Sequence, residues 1–346
     1  MKNIAILVPS YNSAETVEAT LESILALSKE LESHIDFLML SDDGSKDDTV
    51  EIAERIWNHP TVPLLVRRVD KNGGEYRNVN GAFAAMPEHI EWVLIMHADN
   101  QALPGWIEWL ARECRQAGEM TASICGSWKY AVDGVVVHEG DQRGHEYVEV
   151  IPGNDTSVRN TIFKGCWWHN STAAVRVNAW KAVGGHPQET PLLGAFEVLG
   201  LRSPSKNPPR KLRIKGDWDS LLRLLSSGWE IRYIGAPLIR YMELSSSVSA
   251  GSFAWHGDLL ESLQVMRRHQ SVLSLGDITR YHGQVGLTLL RRFIGGVVRG
   301  QWRRSWLALL AAPVMGTSLL VSLLNRQREV GGKLTQISFM SDWNPP

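Results

Sequence analysis

No G-x-G-x-x-G follows the first apolar run of this sequence. The turn there reads PSYNSAE, which disfavours a dinucleotide fold of the dehydrogenase type. No G-x-x-x-x-G-K-[ST] occurs, so there is no P-loop, and no G-x-S-x-G, so there is no nucleophile elbow. Cysteine is scarce. Cys114, Cys125 and Cys166 are odd in number and share no short paired spacing, which argues against a disulfide framework and a zinc site. The net charge is −1, so nothing global draws the chain to nucleic acid. No signal peptide is visible. MKNIAILVPSYN holds one lysine and an apolar run too short for an h-region, which places the chain in the cytosol.

What is present is a globular composition. Of 346 residues, 44% are apolar and 21% charged, enough for a packed core in one large domain or one domain with an appendage. Fourteen tryptophans suit cores, sugar sites and membrane interfaces alike, so the count decides nothing by itself.

Short buried runs alternate with helical spacing. NIAILVPS, HIDFLML, VPLLVRRV and EWVLIMHAD read as four strands. Between them SAETVEATLESILALSK, with Ser13 as its N-cap, DDTVEIAERIW and GGEYRNVNGAFAAM read as helices. This alternation predicts an α/β layer with a mostly parallel sheet flanked by helices. In such sheets ligands bind beyond the carboxyl ends of the strands. Polar clusters at Pro9–Asn12, Asp42–Ser45, Asn72–Gly74 and His97–Asn100 all fall there. DWDSLLRLLSSGWEIRYI resumes as a helix stopped by Gly228 and then a strand, while LRSPSKNPPRKLRIKG reads as an exposed loop.

The tail differs. Ser305 to Leu324 contains no charged residue, and arginines flank it on both sides. About 20 helical residues span about 30 Å, the width of a bilayer core. Pro313 and Gly316 interrupt the run, and the symmetric positive flanks give no inside–outside bias. An in-plane or re-entrant anchor fits at least as well as a span. The expected division is residues 1–245 as a catalytic domain (1–104 for the donor, 105–245 for the acceptor) and 246–346 as a helical region with a membrane-associating segment at 305–324.

VPSYN, SDDGSKDDT, HAD, the pair Gly184–Gly185 and GDWDSLLRLLSSGW stand in that order along the chain. The series resembles the family-2 glycosyltransferases with their GT-A fold, over roughly residues 3–240. The resemblance implies an inverting transferase that takes a sugar from a nucleoside diphosphate donor. It places Pro9, Tyr11 and Asn12 around the base and ribose. Asp42 would accept from the base edge, with Asp43 beside it and Arg77 near the diphosphate. His97 and Ala98 would line the donor, Asp99 would hold Mg²⁺ or Mn²⁺, and Asp217 would be the base.

Other readings of these residues stay open. SDDGSKDDT is also the composition of a turn and a helix cap. Asp217 could be an N-cap, and Asp219 is a rival base two residues on. Trp167, Trp168 and His169 are assigned to the acceptor side, and His186 to the surface. The family commonly has Asp where His97 stands, which raises the question of whether His97 ligates the metal. The implied acceptor is a lipid-linked or cell-surface glycan, met at the cytoplasmic face of the membrane by a peripheral or monotopic enzyme. A non-catalytic membrane-associated scaffold on the same fold is the alternative. A sugar nucleotidyltransferase is less favoured, because PSYNSAET carries no basic residue for a triphosphate.

Overall fold

Among the described residues, ten strands and their helices are arranged by the burial that the sequence pattern demands. The computed structural model describes residues 2–132, 134–187, 215–243 and 257–302, with 305, 316, 318–320 and 322–324 beyond. Most of the 305–324 segment and the LRSPSKNPPRKLRIKG stretch therefore lie outside the described residues. Among the described residues no helix is long and apolar enough to cross a membrane.

β1 (Ile4–Ser10) is buried at every position, as an apolar run without alternation requires of a central strand. β2 (Ile35–Asp42) and β4 (Trp92–Ile95) flank it in parallel, and β3 (Leu64–Arg68) extends the block beyond β2. The order continues from β4 through β9 (Ala174–Arg176), β6 (Thr121–Val132) and β10 (Glu230–Glu243) to β5 (Gln101–Ala102). The parallel expectation holds for β3-β2-β1-β4 and again for β6 with β10. β9 is antiparallel to both β4 and β6. β7 (Val135–His138) pairs with β6, and β8 (Gly144–Ile151) with β10, both antiparallel.

Helices cover the sheet through their apolar stripes. α1 (Val17–Leu25) buries Val17, Leu21 and Ile24. The single helix read in SAETVEATLESILALSK is two, with α2 at Ser28–His34. Ser13 is not the N-cap. Its carbonyl accepts from Thr16 and Val17 in a turn before the helix begins. α3 (Thr49–Ile56) follows β2. α4 (Glu75–Ala84) is tied to β2 by Asn78, whose amide donates to the Ser41 carbonyl at 2.6 Å. α5 (Trp106–Gln116) buries Trp106, Ile107, Leu110, Ala111 and Cys114, a stripe at helical spacing. α6 (Asp155–Lys164), α7 (Val177–Ala182) and α8 (Gly216–Ser226) are the other described helices before β10. Gly228 ends α8 as read, at φ +84°.

The chain divides into two compact units. The first holds 1–157, 164–186 and 217–245, and contains the whole sheet. The second holds 158–163, 187–216 and 246–346. Its described part contains α9 (Gly257–Arg268) and α10 (Leu275–Val298). Ser274 and Asp277 form a reciprocal capping box at the start of α10, and Arg159 grips the same Asp277 carboxylate at 2.6 and 3.0 Å. These bonds hold the Asp277 carboxyl far below the usual carboxylate range.

Candidate active site

The loops at the carboxyl ends of β1 and β2 are locked together by side chains. Asn12 adopts φ +49°, which an asparagine tolerates better than most residues. Its amide oxygen accepts from the Lys46 N–H at 2.8 Å, and its own N–H donates to Ser45 Oγ at 2.8 Å. Asp47 accepts from the Ala14 N–H at 3.0 Å and from the Thr49 hydroxyl, and these bonds lower its pKa against the burial that opposes them. Pro9 lies within β1, opposite Ser41, and the Tyr11 ring is 45% exposed at the rim.

The two aspartates of SDDGS face inward. Asp42 is wholly buried, accepts from the Ser45 N–H and hydroxyl, and lies 3.3 Å from Arg68 Nε. The resemblance implies a contact from Asp42 to the base edge, and here its carboxylate is held by Ser45 and Arg68. Asp43 accepts from the N–H groups of Gly73 at 3.0 Å and Gly74 at 2.7 Å. Gly74 sits at φ +91°, a conformation open to glycine, and caps the start of α4. Arg77 folds back over Gly73, so that a methyl added there would meet its Cδ at 2.8 Å. Asp43 therefore sets the turn that carries Arg77, and Arg77 itself is exposed.

At the end of β4 the loop His97–Asn100 closes on itself, the Asn100 N–H donating to the His97 carbonyl at 3.1 Å. Asn100 is fully buried, and its oxygen accepts from the Met242 N–H at 3.1 Å. Ala98 is buried beneath the loop. Asp99 has a buried Oδ1 with no hydrogen-bond partner among the described atoms. Burial raises its pKa, partly opposed by His97. A desolvated, unpartnered carboxylate oxygen in a loop beyond a strand end fits a hard divalent cation. His97 Nε2 lies 3.4 Å from Glu75 Oε1, without hydrogen-bond geometry. The described residues hold no group of three or more His, Cys, Asp and Glu side chains able to bind a metal. A cation here would take Asp99 plus donor oxygens and water.

The short 3₁₀ turn Asn170–Thr172 joins this loop to Asp217. Ser171 Oγ accepts from the His97 N–H at 3.1 Å and from the Asn100 amide at 2.9 Å. One residue earlier, the buried Asn170 amide nitrogen donates to Asp217 Oδ1 at 3.0 Å and meets His186 Nε2 at 3.0 Å. These two partners use both amide hydrogens, and the reverse orientation would aim an oxygen at the carboxylate. His186 Nε2 is therefore the acceptor, and Nδ1 carries the proton toward Ser220 Oγ at 3.0 Å. His186 is buried, not on the surface, because Asn80 pairs with its backbone N–H and carbonyl at 2.8 Å each. Gly185, at φ +62°, makes that approach possible, since a Cβ there would meet Asn80 Oδ1 at 2.2 Å.

The acceptor-side residues separate. Trp168 is core: it is buried, stacks on Trp180, and donates its indole N–H to Ser123 at 2.9 Å. It offers no face to a sugar. Asp219 is also turned inward, 3.1 Å from Arg223, so the rival base is a buried ion-paired group. Trp167 is half-buried, edge-on to Tyr233. His169 stands among Trp128, Tyr241 and His97, and accepts from the Ser171 N–H at 3.2 Å. Burial, then the neighbouring His97, push its pKa down to about 3. Folding therefore disfavours the proton on His169. Stability is complete above the unfolded value of 6.5 and is lost as pH falls toward about 3. Denaturant melts taken across that window are expected to lose up to about 1.4 kcal/mol per pH unit, and His169→Gln to flatten the slope. An unchanged slope in the variant would show that another group carries the effect.

With the geometry in place, comparison with known proteins becomes informative. Residues 5–161 match the family described as Glycosyl transferase family 2. Two curated relatives are undecaprenyl-phosphate 4-deoxy-4-formamido-L-arabinose transferases. The one from Photorhabdus laumondii is 25% identical over 123 residues, covering 36% of this chain and 37% of the relative. The one from Pseudomonas syringae pv. syringae is 23% identical over 124 residues, covering 36% of each. The chain thus aligns with little more than a third of their length. Similar solved structures include S. aureus TarS 1-349 in complex with UDP, with a TM-score of 0.53 and 16% identity over 96% of this chain and 92% of that one. Mannosyltransferase PcManGT from Pyrobaculum calidifontis, in complex with GDP-Man and Mn²⁺, has a TM-score of 0.53 and 15% identity over 94% and 87%. Motif order, rim loops and sheet agree on a GT-A fold, and residues 5–161, just under half of the chain, match glycosyl transferase family 2.

Proposed function

We propose that the chain moves a sugar from a nucleoside diphosphate donor to an acceptor hydroxyl with inversion, Asp217 acting as the base. The observation that carries this reading is the Asn170–Thr172 turn. It fixes the loop of Asp99 through Ser171 and the carboxylate of Asp217 through Asn170. A donor-side acid and a base are thereby held to one support.

Asp217 lies in the first turn of α8, where the helix dipole favours a negative charge. With Oδ1 taken by Asn170, the carboxylate is oriented to receive the proton of the attacking hydroxyl. On the donor side, Tyr11 presents an exposed ring for a base, and Asn12, Asp42 and Asp43 shape the loops around it. Arg77, at the Gly73–Gly74 turn, supplies positive charge for the diphosphate. Asp99 would hold Mg²⁺ or Mn²⁺, which when bound offsets the charge that builds on the leaving diphosphate. His97, whose Nε2 lies 3.4 Å from Glu75 without hydrogen-bond geometry, lines the same loop.

The acceptor we assign is a lipid-linked or cell-surface glycan, met by a peripheral or monotopic protein at the cytoplasmic face of the membrane. Its support is the name of the two curated relatives, which contains undecaprenyl phosphate, and the apolar 305–324 sequence. A thermal-shift panel of nucleoside diphosphates with and without Mn²⁺ tests the donor site. One base is expected to raise Tm in a manner that needs Mn²⁺, a ligand at 100 times its Kd adding about 2.7 kcal/mol. No shift with any base would favour a non-catalytic scaffold.

A further inference from the structure

α10 is apolar on two opposite faces, and only one of them is packed. Ile278, Tyr281, His282, Val285 and Leu289 are buried along one side. On the other side Leu287, Leu290, Ile294 and Val298 follow at helical spacing and are 48% to 78% exposed. Trp302, just past the helix, is 62% exposed. A helix apolar all round is buried or sits in lipid, and a continuous outward stripe of this kind marks an interaction surface.

The charges around the stripe identify the partner. Between Asp277 and Glu329 the sequence has no carboxylate and eight arginines. Arg292 turns inward to Asp258, at 2.7 and 2.8 Å. Arg280, Arg291 and Arg299 stay exposed beside the stripe. A second copy docking on this face would oppose like charges with no acid to offset them. Nucleic acid would satisfy the arginines but leave the aliphatic stripe facing phosphate and sugar. An anionic bilayer meets both demands, since acyl chains take the leucines and isoleucine while headgroup phosphates take the guanidinium groups. Trp302 suits the same boundary, where one side is apolar and the other wet.

We infer that α10 lies in the plane of an anionic lipid surface, with Leu287, Leu290, Ile294 and Val298 inserted and Arg280, Arg291 and Arg299 at the headgroups. The inference rests on none of the catalytic assignments, and its failure would leave the donor-site reading untouched. It is also distinct from an anchor at 305–324.

The full-length chain is mixed with vesicles of phosphatidylcholine, alone or with phosphatidylglycerol, and sedimented at low and high salt. Binding is expected only to the anionic vesicles and is expected to weaken with salt. Arg291→Gln should lower the vesicle partition coefficient about fivefold at low salt. Leu287→Glu with Ile294→Glu should lower it at least roughly tenfold. Arg291 is exposed, so Arg291→Gln keeps the test valid if the double variant misfolds. Circular dichroism and thermal melts without ligand report whether each variant stays folded. Equal binding to neutral vesicles, or binding unchanged by the α10 variants, would overturn the inference. So would concentration-dependent dimers without vesicle binding, or salt-sensitive binding to RNA in place of lipid.

Discussion

Asp217→Asn is expected to leave nucleoside diphosphate binding unchanged while lowering kcat by roughly 10²–10⁴, the range for losing a positioned general base. The substitution keeps the shape of the side chain at the start of α8. Asparagine can present its oxygen to the Asn170 amide, so the bond at Oδ1 survives. What disappears is the capacity to take a proton. The effect should therefore fall on turnover and spare donor affinity, and steady-state kinetics beside nucleotide titrations separates the two. Asn170→Ala supplies the companion measurement. It retains the base but removes this bond to its carboxylate, so activity should fall less than in Asp217→Asn. If Asp217→Asn kept most of its transfer activity, the base would be another group. Asp219 is a poor substitute, because it is buried against Arg223.

The second large effect concerns Asp99, where stability and binding should move in opposite directions. Its Oδ1 is buried without a partner, and burial raises its pKa. The folded chain thus holds this proton more tightly than the unfolded chain does. The contribution to stability is complete below 3.8, the ordinary value, and is lost as pH rises through the raised one. When ionised, Asp99 is a desolvated charge that His97 offsets only in part. Asp99→Asn removes that charge and should stabilise the metal-free protein by ~1–3 kcal/mol, a rise of a few degrees in Tm. The same change should abolish the Mn²⁺-dependent part of the nucleotide shift, because the amide is a weaker ligand for a hard cation. Calorimetry of both proteins, with and without Mn²⁺ and the nucleotide, reads both signs at once. A variant that melts lower without metal would mean that Asp99 has a stabilising partner and is no cation site.

The sequence made the polar rim legible because strand ends repeat. Four apolar runs each stop in polar residues, and the parallel sheet of β3-β2-β1-β4 brings those stops to one edge. Local pattern could not say which atoms those residues touch. Asp42 and Asp43 read as ligand contacts, yet their partners are Ser45, Arg68 and the Gly73–Gly74 backbone. Trp168 read as a sugar platform because its motif is aromatic and polar together. Its polar handle is satisfied by Ser123, 45 residues away, and no local rule reveals that. His186 beside two glycines looked solvent-exposed, whereas its burial depends on Asn80, 106 residues earlier in the chain. Asn170 gave no signal at all, for HNST is an ordinary polar stretch until Asp217 is folded against it. The β7 and β8 strands were equally silent, since Val135–His138 and Gly144–Ile151 gain their meaning from β6 and β10.

The bridge His186–Asn170–Asp217 also bears on how such a chain can diversify. His186 and Asp217 bracket the sequence from Pro187 to Gly216, and one buried amide clasps both ends. Both of these bonds come from Asn170, which lies outside that bracket. Asn80 and Ser220 hold the His186 end from separate helices. On the proposed reading of Asp217 as the base, a bond that orients it thus comes from outside the intervening stretch.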